Sequence, residues 1–323
     1  MKKLRIVVSM LLAAALLGAC GAKVPAFGSA TPIPTTAPDQ TPIPMPVATT
    51  PPDIAPSGTP GDEALADETE SSAALMITVR DGDTLERDII PQIAAALDIP
   101  ARYVEDACAE AQSELISDDT DGFRRMEGII PPGEYDVSGM TVAECVTMWI
   151  SDAEERYERI AGKGSNDNSL SAAERLTLGS IVEWETMLAD RYEREVAAVF
   201  LNRLDADERL YSCATAEYAL GYSRPYLTSD DIKVDSPYNT YVTNGLPPGP
   251  ICAMDDESLA AATAKAKNSA VWFFFYDYAL KKIVTFDDSE KFRAAADESQ
   301  TRFDETFNIG RYDVVDKRAY FGG

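Results

Sequence analysis

From Gly21 to about Ser72 the chain is built of Pro, Thr, Ala and Gly with few aliphatic residues. Such a stretch buries too little apolar surface to offset the entropy of folding. Thr31-Pro32-Ile33-Pro34 and Thr41-Pro42-Ile43-Pro44 read as polyproline-like repeats. At about 3 Å per residue, about fifty extended residues reach on the order of 100 Å, so the stretch predicts a tether. Every packed element must come from the roughly 250 residues that follow, enough for two compact units.

What precedes the tether reads as a processing segment. Met1-Lys2-Lys3-Leu4-Arg5 is a short basic region, and Ile6 to Leu17 is an apolar stretch too short to span a bilayer stably. Leu17-Gly18-Ala19-Cys20 resembles a bacterial lipobox. The expectation is a signal peptide over 1–19, a lipidated Cys20, and a disordered tether over 20–73. The alternative is an ordinary secretory signal with an incidental cysteine. Lipidation predicts an extracytoplasmic chain anchored to the cell membrane, firmly only with two or more acyl chains. Losing the three cations Lys2, Lys3 and Arg5 takes the formal charge from −25 to −28. A surface that acidic repels phosphate backbones and excludes nucleic acid as a partner.

The chain contains no histidine. Ser-His-Asp and Cys-His catalysis are excluded, as are the usual His-bearing zinc sites. Acid–base work falls to Asp, Glu, Lys, Tyr or Cys, with no metal and no cofactor expected. Cys108, Cys145, Cys213 and Cys252 sit in a disulfide-permissive setting and allow three pairings.

The first folded unit starts near Ala74. Leu75 to Val79 is strand-like, Asp81-Gly82-Asp83 is a turn, and Thr84 to Ala96 is helical in its spacing of Ile89, Ile90 and Ile93. A second helix is expected over Ala101 to about Leu115. Thr141 to Ile160 reads as a helix opened by a capping box of Thr141 and Glu144. Helix signals are dense from Ser171 to about Leu220. Strand-like runs follow at Val271 to Tyr276 and Ile283 to Phe286. The fold class is α+β, with a small α/β module over 74–135, a mixed helical domain over 136–310 carrying a late β-hairpin, and a tail over 311–323. The tail's Tyr312, Tyr320 and Phe321 serve either to pack on the domain or to dock a partner.

The most informative helix is expected over Leu176 to Arg194. At about 100° per residue, Glu185 lies roughly 40° from Ile181 on one side and Ala189 on the other, so it points with the apolar stripe. Glu183 lies about 160° away from Glu185 and shares a face with Met187, Asp190 and Arg194. A carboxyl aimed into a partly desolvated cleft has a raised pKa and can donate a proton near neutral pH, as glycosidic cleavage requires. The alternative is a Glu185 solvated or paired at the stripe edge.

Four ordered motifs carry a family resemblance. Ser180-Ile181-Val182-Glu183-Trp184-Glu185-Thr186 is similar to the Ser-Ile-Val-Glu-Lys-Glu-Thr segment of MltG/YceG-like endolytic murein transglycosylases. Val199-Phe200-Leu201-Asn202-Arg203-Leu204 resembles their Val-Phe-Ile-Asn-Arg-Leu. Asp235 to Tyr241 and Gly245 to Ile251 complete the set. The resemblance is close from about Leu176 to Ile251 and weaker from Leu75 to Glu158. It implies a LysM-like identity for the first module and a YceG-like catalytic domain, with Glu185, the glutamate followed by Thr, as general acid and base. The implied reaction cuts the MurNAc-β-1,4-GlcNAc bond inside peptidoglycan glycan strands and leaves a 1,6-anhydroMurNAc end. The implied partners are the glycan strands and a wall-synthesis complex. Asn202, Tyr238, Asn239, Thr240, Gly245, Pro247 and Pro248 are implied to meet the substrate. Asn202 could equally brace a helix, and Asn239 could bond its own turn.

Several positions depart from the pattern. Cys213-Ala214 stands where many members have Asp-Pro, Cys252 where others have Ala, Trp184 where Lys is common, and Val284 where many have His. Met254-Asp255-Asp256-Glu257 replaces an Asn-Pro-Gly turn. Because the resemblance brings both cysteine-bearing motifs to one cleft, a Cys213–Cys252 disulfide is expected. Cys108 and Cys145 would then form a second pair or stay as buried thiols. The competing reading is a peptidoglycan-binding lipoprotein that docks glycan without cutting it.

Overall fold

The computed structural model of the chain describes residues 74–162, 168–189, 191–264 and 270–322. The expected signal peptide, the lipid-bearing Cys20 and the tether lie outside the described residues. No helix among the described residues is long and apolar enough to cross a membrane.

Strand β1 (Met76–Val79) leads through the Asp81-Gly82 turn into a π-helical turn at Leu85–Ile89, helix α1 (Ile90–Ala96) and helix α2 (Ala101–Ala109). A 3-10 turn at Gly122–Met126 follows, then strand β2 (Gly133–Asp136), which pairs antiparallel with β1 from Met76 opposite Asp136 to Val79 opposite Gly133. Helix α2 stops at Ala109, short of the expected Leu115. Helix α3 (Val142–Ala161) opens with the expected capping box, Glu144 N–H donating to Thr141 Oγ1 and Glu144 accepting from Thr141 N–H. It buries Cys145, Val146, Trp149 and Ala153, spaced along one helical stripe. These side chains join Ile77, Leu85, Ile93, Val104 and Cys108 in a first core.

The second core is organised by helix α4 (Ala172–Thr186), which begins with its own capping box of Ser171 and Glu174. Around it lie α5 (Glu193–Asp205), α6 (Cys213–Leu220) and α7 (Asp256–Thr263). Strands β3 (Phe273–Asp277) and β4 (Lys282–Phe286) form the expected hairpin, and α8 (Ser289–Thr306) and α9 (Lys317–Phe321) close the chain. The class is α+β with two small antiparallel sheets. Helix α4 packs so tightly on α7 and the chain leading into it that a Cβ at Gly179 would stand 2.7 Å from Met254 Sδ and 3.4 Å from Leu259 Cα.

One expected helix, Leu176 to Arg194, is two. Helix α4 ends at Thr186 and α5 starts at Glu193. No Gly or Pro marks the break. Side-chain destinations diverge there instead: Ala189 stays with the α4 core, while Leu188 packs with Tyr278, Phe303 and Phe321. Arg191 sits in the left-handed region at φ 78°, unusual for a non-glycine residue. Glu185 therefore stands in the last turn of its helix, where side chains meet fewer neighbours from their own helix.

The expected Cys213–Cys252 disulfide is corrected. Cys252 is a buried free thiol whose Sγ donates to Ser180 O at 3.3 Å, committing it to α4. Cys213 Sγ instead lies 3.1 Å from Tyr241 Oη. Cys108 and Cys145 are also buried free thiols, the second of the two expected alternatives.

The two cores are clamped together by polar contacts. Gly82 N–H donates to Ala253 O at 2.7 Å, and Ala253 N–H returns a bond to Asp83 O at 2.8 Å. Arg156 binds Asp256 and Met254 O. Gly128, at φ 65°, fits where a Cβ would meet Cys252 O at 2.6 Å, so only glycine suits both its dihedral and its space. At the centre of the clamp Glu127 accepts from Leu85 N–H and from Tyr218 Oη–H, both at 2.9 Å.

Burial pushes the Glu127 carboxyl up to about 7, against the pull of those two bonds. Its folded pKa lies above the unfolded value of about 4.5. Its contribution to stability is thus complete below the unfolded pKa and is lost as pH rises through the folded one. Replacing Glu127 by Gln should flatten stability against pH in this window, by at most about 1.4 kcal/mol per pH unit. Urea unfolding of both proteins at about pH 5 and about pH 8 tests this; equal losses of stability would refute it.

Candidate active site

Helix α4 delivers Glu185 to a cleft of roughly 1000 Å³, counting the part open to solvent. Strand β3 supplies aromatic walls through Phe273, Phe274 and Tyr276, and Tyr226 and Tyr241 close other sides. Aromatic rings suit a sugar ligand, because their faces cover the apolar C–H surface of a pyranose while their edges leave hydroxyls accessible. The walls are themselves stiff: Phe273 stacks on Phe292 at 5.3 Å between centroids, and Phe274 meets Phe200 edge-on at 5.5 Å.

The Glu185 carboxyl is held on one oxygen. Ser212 Oγ–H donates to Oε1 at 2.6 Å, and Ala214 N–H donates to the same atom at 3.3 Å. The second donor belongs to the first turn of α6, where backbone N–H groups lack helical acceptors. Burial raises the Glu185 pKa. The Ser212 bond, the Lys317 charge and the Ala214 bond pull it down, and the Glu217 charge pushes it up; burial prevails. The result is a carboxyl that keeps its proton to higher pH than an exposed one.

Ser212 is fixed by a hydroxyl network behind it. Its N–H donates to Thr240 Oγ1 at 3.1 Å, and Thr215 Oγ1, donating to Ser212 O, lies 2.8 Å from Thr240 Oγ1. Tyr211, just before it, is held at φ 52°, with its N–H on Thr240 O. A left-handed tyrosine costs on the order of 1–3 kcal/mol and persists only where surrounding contacts impose it.

The two glutamates of α4 go to different places. Glu183 accepts from Asp255 N–H at 3.0 Å and Ser258 Oγ–H at 2.9 Å, fastening α7 to α4. It is buried and its pKa is raised, by burial first, yet it does not line the cleft.

The other expected site residues are spread more widely. Asn202 donates its amide to Val271 O at 2.8 Å, bracing α5 on the chain entering β3. Asn239 is fully buried, donates its amide to Ile232 O and Val234 O of the preceding segment, and accepts from Tyr241 N–H in its own turn. Thr240, also fully buried, reaches Glu185 only through Ser212. Tyr238 packs against Tyr218 at 4.8 Å between centroids, the rings tilted by 51°. Gly245, at φ 76°, opens the loop that carries the buried Pro247 and the half-buried Pro248. None of these seven lines the cleft itself. Ser212, Glu217, Tyr241 and Lys317 do border the site or hold Glu185, and only the adjacent Cys213-Ala214 departure drew attention to that loop.

Ser212→Ala removes the shortest bond to the carboxylate, a bond that favours the charged form. The Glu185 pKa should therefore rise further, read by ¹³C NMR titration of labelled glutamate carboxyls. A fall, or no change, would contradict the assigned role of Ser212.

Comparison with known proteins places this site in context. An endolytic murein transglycosylase from Bacillus subtilis (strain 168) is 32% identical over 154 residues, 46% of this chain and 41% of that protein. One of the same name from Streptococcus pneumoniae (strain ATCC BAA-255 / R6) is 27% identical over 235 residues, 64% of this chain and 41% of that protein. The chain thus spans about two fifths of the length of the curated relatives it matches. A crystal structure of a yceG-like protein from Listeria monocytogenes superposes with a TM-score of 0.59 at 26% identity, covering 71% of this chain and 78% of that one. With residues 58–302 matched by the model of the YceG-like family, the chain belongs to that family.

Proposed function

We propose that this chain cleaves peptidoglycan glycan strands internally as a lytic transglycosylase, with Glu185 as its acid and base. The observation that carries the reading is a carboxyl in an aromatic-walled cleft whose other carboxyl, Glu217, is taken up by Lys317; the Glu185 pKa is raised by burial and both its hydrogen bonds fall on Oε1. Oε2 is thereby left to hold the proton. Glu185 gives that proton to the glycosidic oxygen as the bond to MurNAc C1 breaks. The MurNAc 6-hydroxyl then closes on C1, and its proton returns to Glu185. The ring so formed is the 1,6-anhydro end; no water enters and no second carboxylate nucleophile is required, unlike a retaining glycosidase. The relatives named endolytic murein transglycosylase support the same substrate class.

The remaining parts take roles in this reading. The paired β1 and β2 with α1 and α2 between them form a LysM-like unit that docks glycan beside the catalytic domain. The loop of Gly245, Pro247 and Pro248, which continues from the cleft residue Tyr241, and Tyr238 meet the strand outside the cleft. Asn202, Asn239 and Thr240 serve the site as its framework. Lipid on Cys20 and the Pro-rich tether hold the enzyme at the membrane within reach of the wall.

Digestion of purified, uncrosslinked glycan strands by the chain and by Glu185→Gln, with products read by mass spectrometry, tests the reading. Internal fragments with 1,6-anhydroMurNAc ends are expected from the native chain, and a loss of about 100-fold or more in the variant. Reducing ends would mean hydrolysis. Glycan binding without cleavage would leave the wall-binding lipoprotein as the function.

A further inference from the structure

The last thirteen described residues, 310–322, are fastened to the rest of the fold and place one side chain in the cleft. Val315 N–H donates to Ser223 O at 3.0 Å, and Ser223 Oγ–H returns a bond to Val315 O at 2.7 Å. Tyr226 N–H donates to Arg311 O at 3.0 Å. Arg318 reaches across to Asp81 O at 2.8 Å and Asp83 Oδ1 at 3.2 Å. Phe321 packs against Tyr278 at 4.6 Å and Phe307 at 5.3 Å between centroids. A terminus tied to three separate regions does not fray as free chain ends do.

This strap delivers Lys317 into the cleft that holds Glu185. Its Nζ lies 2.6 Å from Glu217 Oε1; the lysine side chain is 14% exposed and the glutamate side chain 0%. The other oxygen of Glu217 accepts from Trp184 Nε1 at 3.1 Å, and Trp184 is the residue bonded in sequence to Glu185. A buried ammonium or carboxylate alone is costly, so each requires the other in place. Burial works against the Lys317 ammonium, yet Glu217 and Tyr278 more than offset it and the lysine stays charged.

We propose that Lys317 and Glu217 act as an opposed charge pair that sets how tightly Glu185 holds its proton, making Lys317 a positioning residue and the C-terminal strap a working part of the active site. Lys317 alone would favour the Glu185 carboxylate and Glu217 alone would favour the acid, so the two charges pull Glu185 in opposite directions. The other groups around them are Ser212 and the α6 amide on one side and the phenols of Tyr241 and Tyr278 on the others. The nearby guanidiniums are engaged elsewhere: Arg203 on Trp272 O and Arg209 O, and Arg224 beside Asp231.

The inference rests on Glu185 as the acid, and its test separates the two. In the full chain, the Glu185 carboxyl is titrated by ¹³C NMR, and the pH profile of kcat/KM on glycan strands is recorded alongside. Lys317→Met should raise the Glu185 pKa and move the alkaline limb of the profile to higher pH. Glu217→Gln should lower it and move the limb to lower pH. The double variant should return towards the native value, and Lys317→Arg should hold it. Opposite shifts with mutual rescue have no counterpart in a merely structural pair, whose two losses would add. Same-direction shifts, or an unmoved Glu185 in Lys317→Met, would overturn the proposal. Inactivity of the native chain on glycan would sink the enzymatic reading, while the NMR titration would still decide this one.

Discussion

A helix buried on every face must satisfy each of its polar side chains without bulk water, and the rest of this molecule is arranged around how α4 does so. Thr177, Ser180 and Thr186 donate to carbonyls of their own helix. Ser180 Oγ also accepts from Ile251 N–H, Arg175 binds Tyr157 and Asn168, and Glu183 takes the amide and hydroxyl that open α7. Ser180, Arg175 and Glu183 thereby become fasteners for neighbouring elements, and an unmet partner at any of them would cost on the order of 1–3 kcal/mol. Glu185 differs because it stands where the helix ends, so its carboxyl looks into a space that a ligand can fill.

Three glutamates among the described residues have pKa values raised mainly by burial: Glu127, Glu183 and Glu185. Perturbed titration by itself would not tell them apart, since structural clamps perturb it as well. Location separates them. Glu127 and Glu183 each have both donors supplied by the elements they join, and neither lines the cleft. Glu183 and Glu185 each have both donors on one oxygen, but Glu185 borders open volume. The chemistry follows from that asymmetry more than from the size of any shift.

Much of this was legible along the chain, and the limits have physical causes. The capping box of α3 and the β3–β4 hairpin depend on residues close in sequence, so local rules found them. The opposite destinations of Glu183 and Glu185 follow from helical angle, which is also local. The break after Thr186 left no mark, because packing imposes it and Arg191 adopts a conformation no local preference would choose. Cys252 could not be assigned because two cysteines in neighbouring motifs are indistinguishable until side-chain direction is known. Ser212 and Lys317 were missed for the same reason: they reach Glu185 across 27 and 132 residues of chain. Asn239 and Thr240 read as ligand groups because amides and hydroxyls look alike whether they serve a sugar or a turn.

The strap at the C-terminus also has a bearing on how the protein comes into being. Lys317 and Arg318 lie 66 and 67 residues beyond Ile251, where the last of the four motifs ends. Until those residues emerge, Glu217 has no ammonium opposite it and the first module has no Arg318 to grip its turn. A polypeptide interrupted before Lys317 would carry every residue of the four motifs and still leave the Glu217 carboxylate without its ammonium. Completion of this buried charge pair is thus tied to the order of synthesis, and an interrupted chain is marked by a defect inside the cleft rather than by a missing motif.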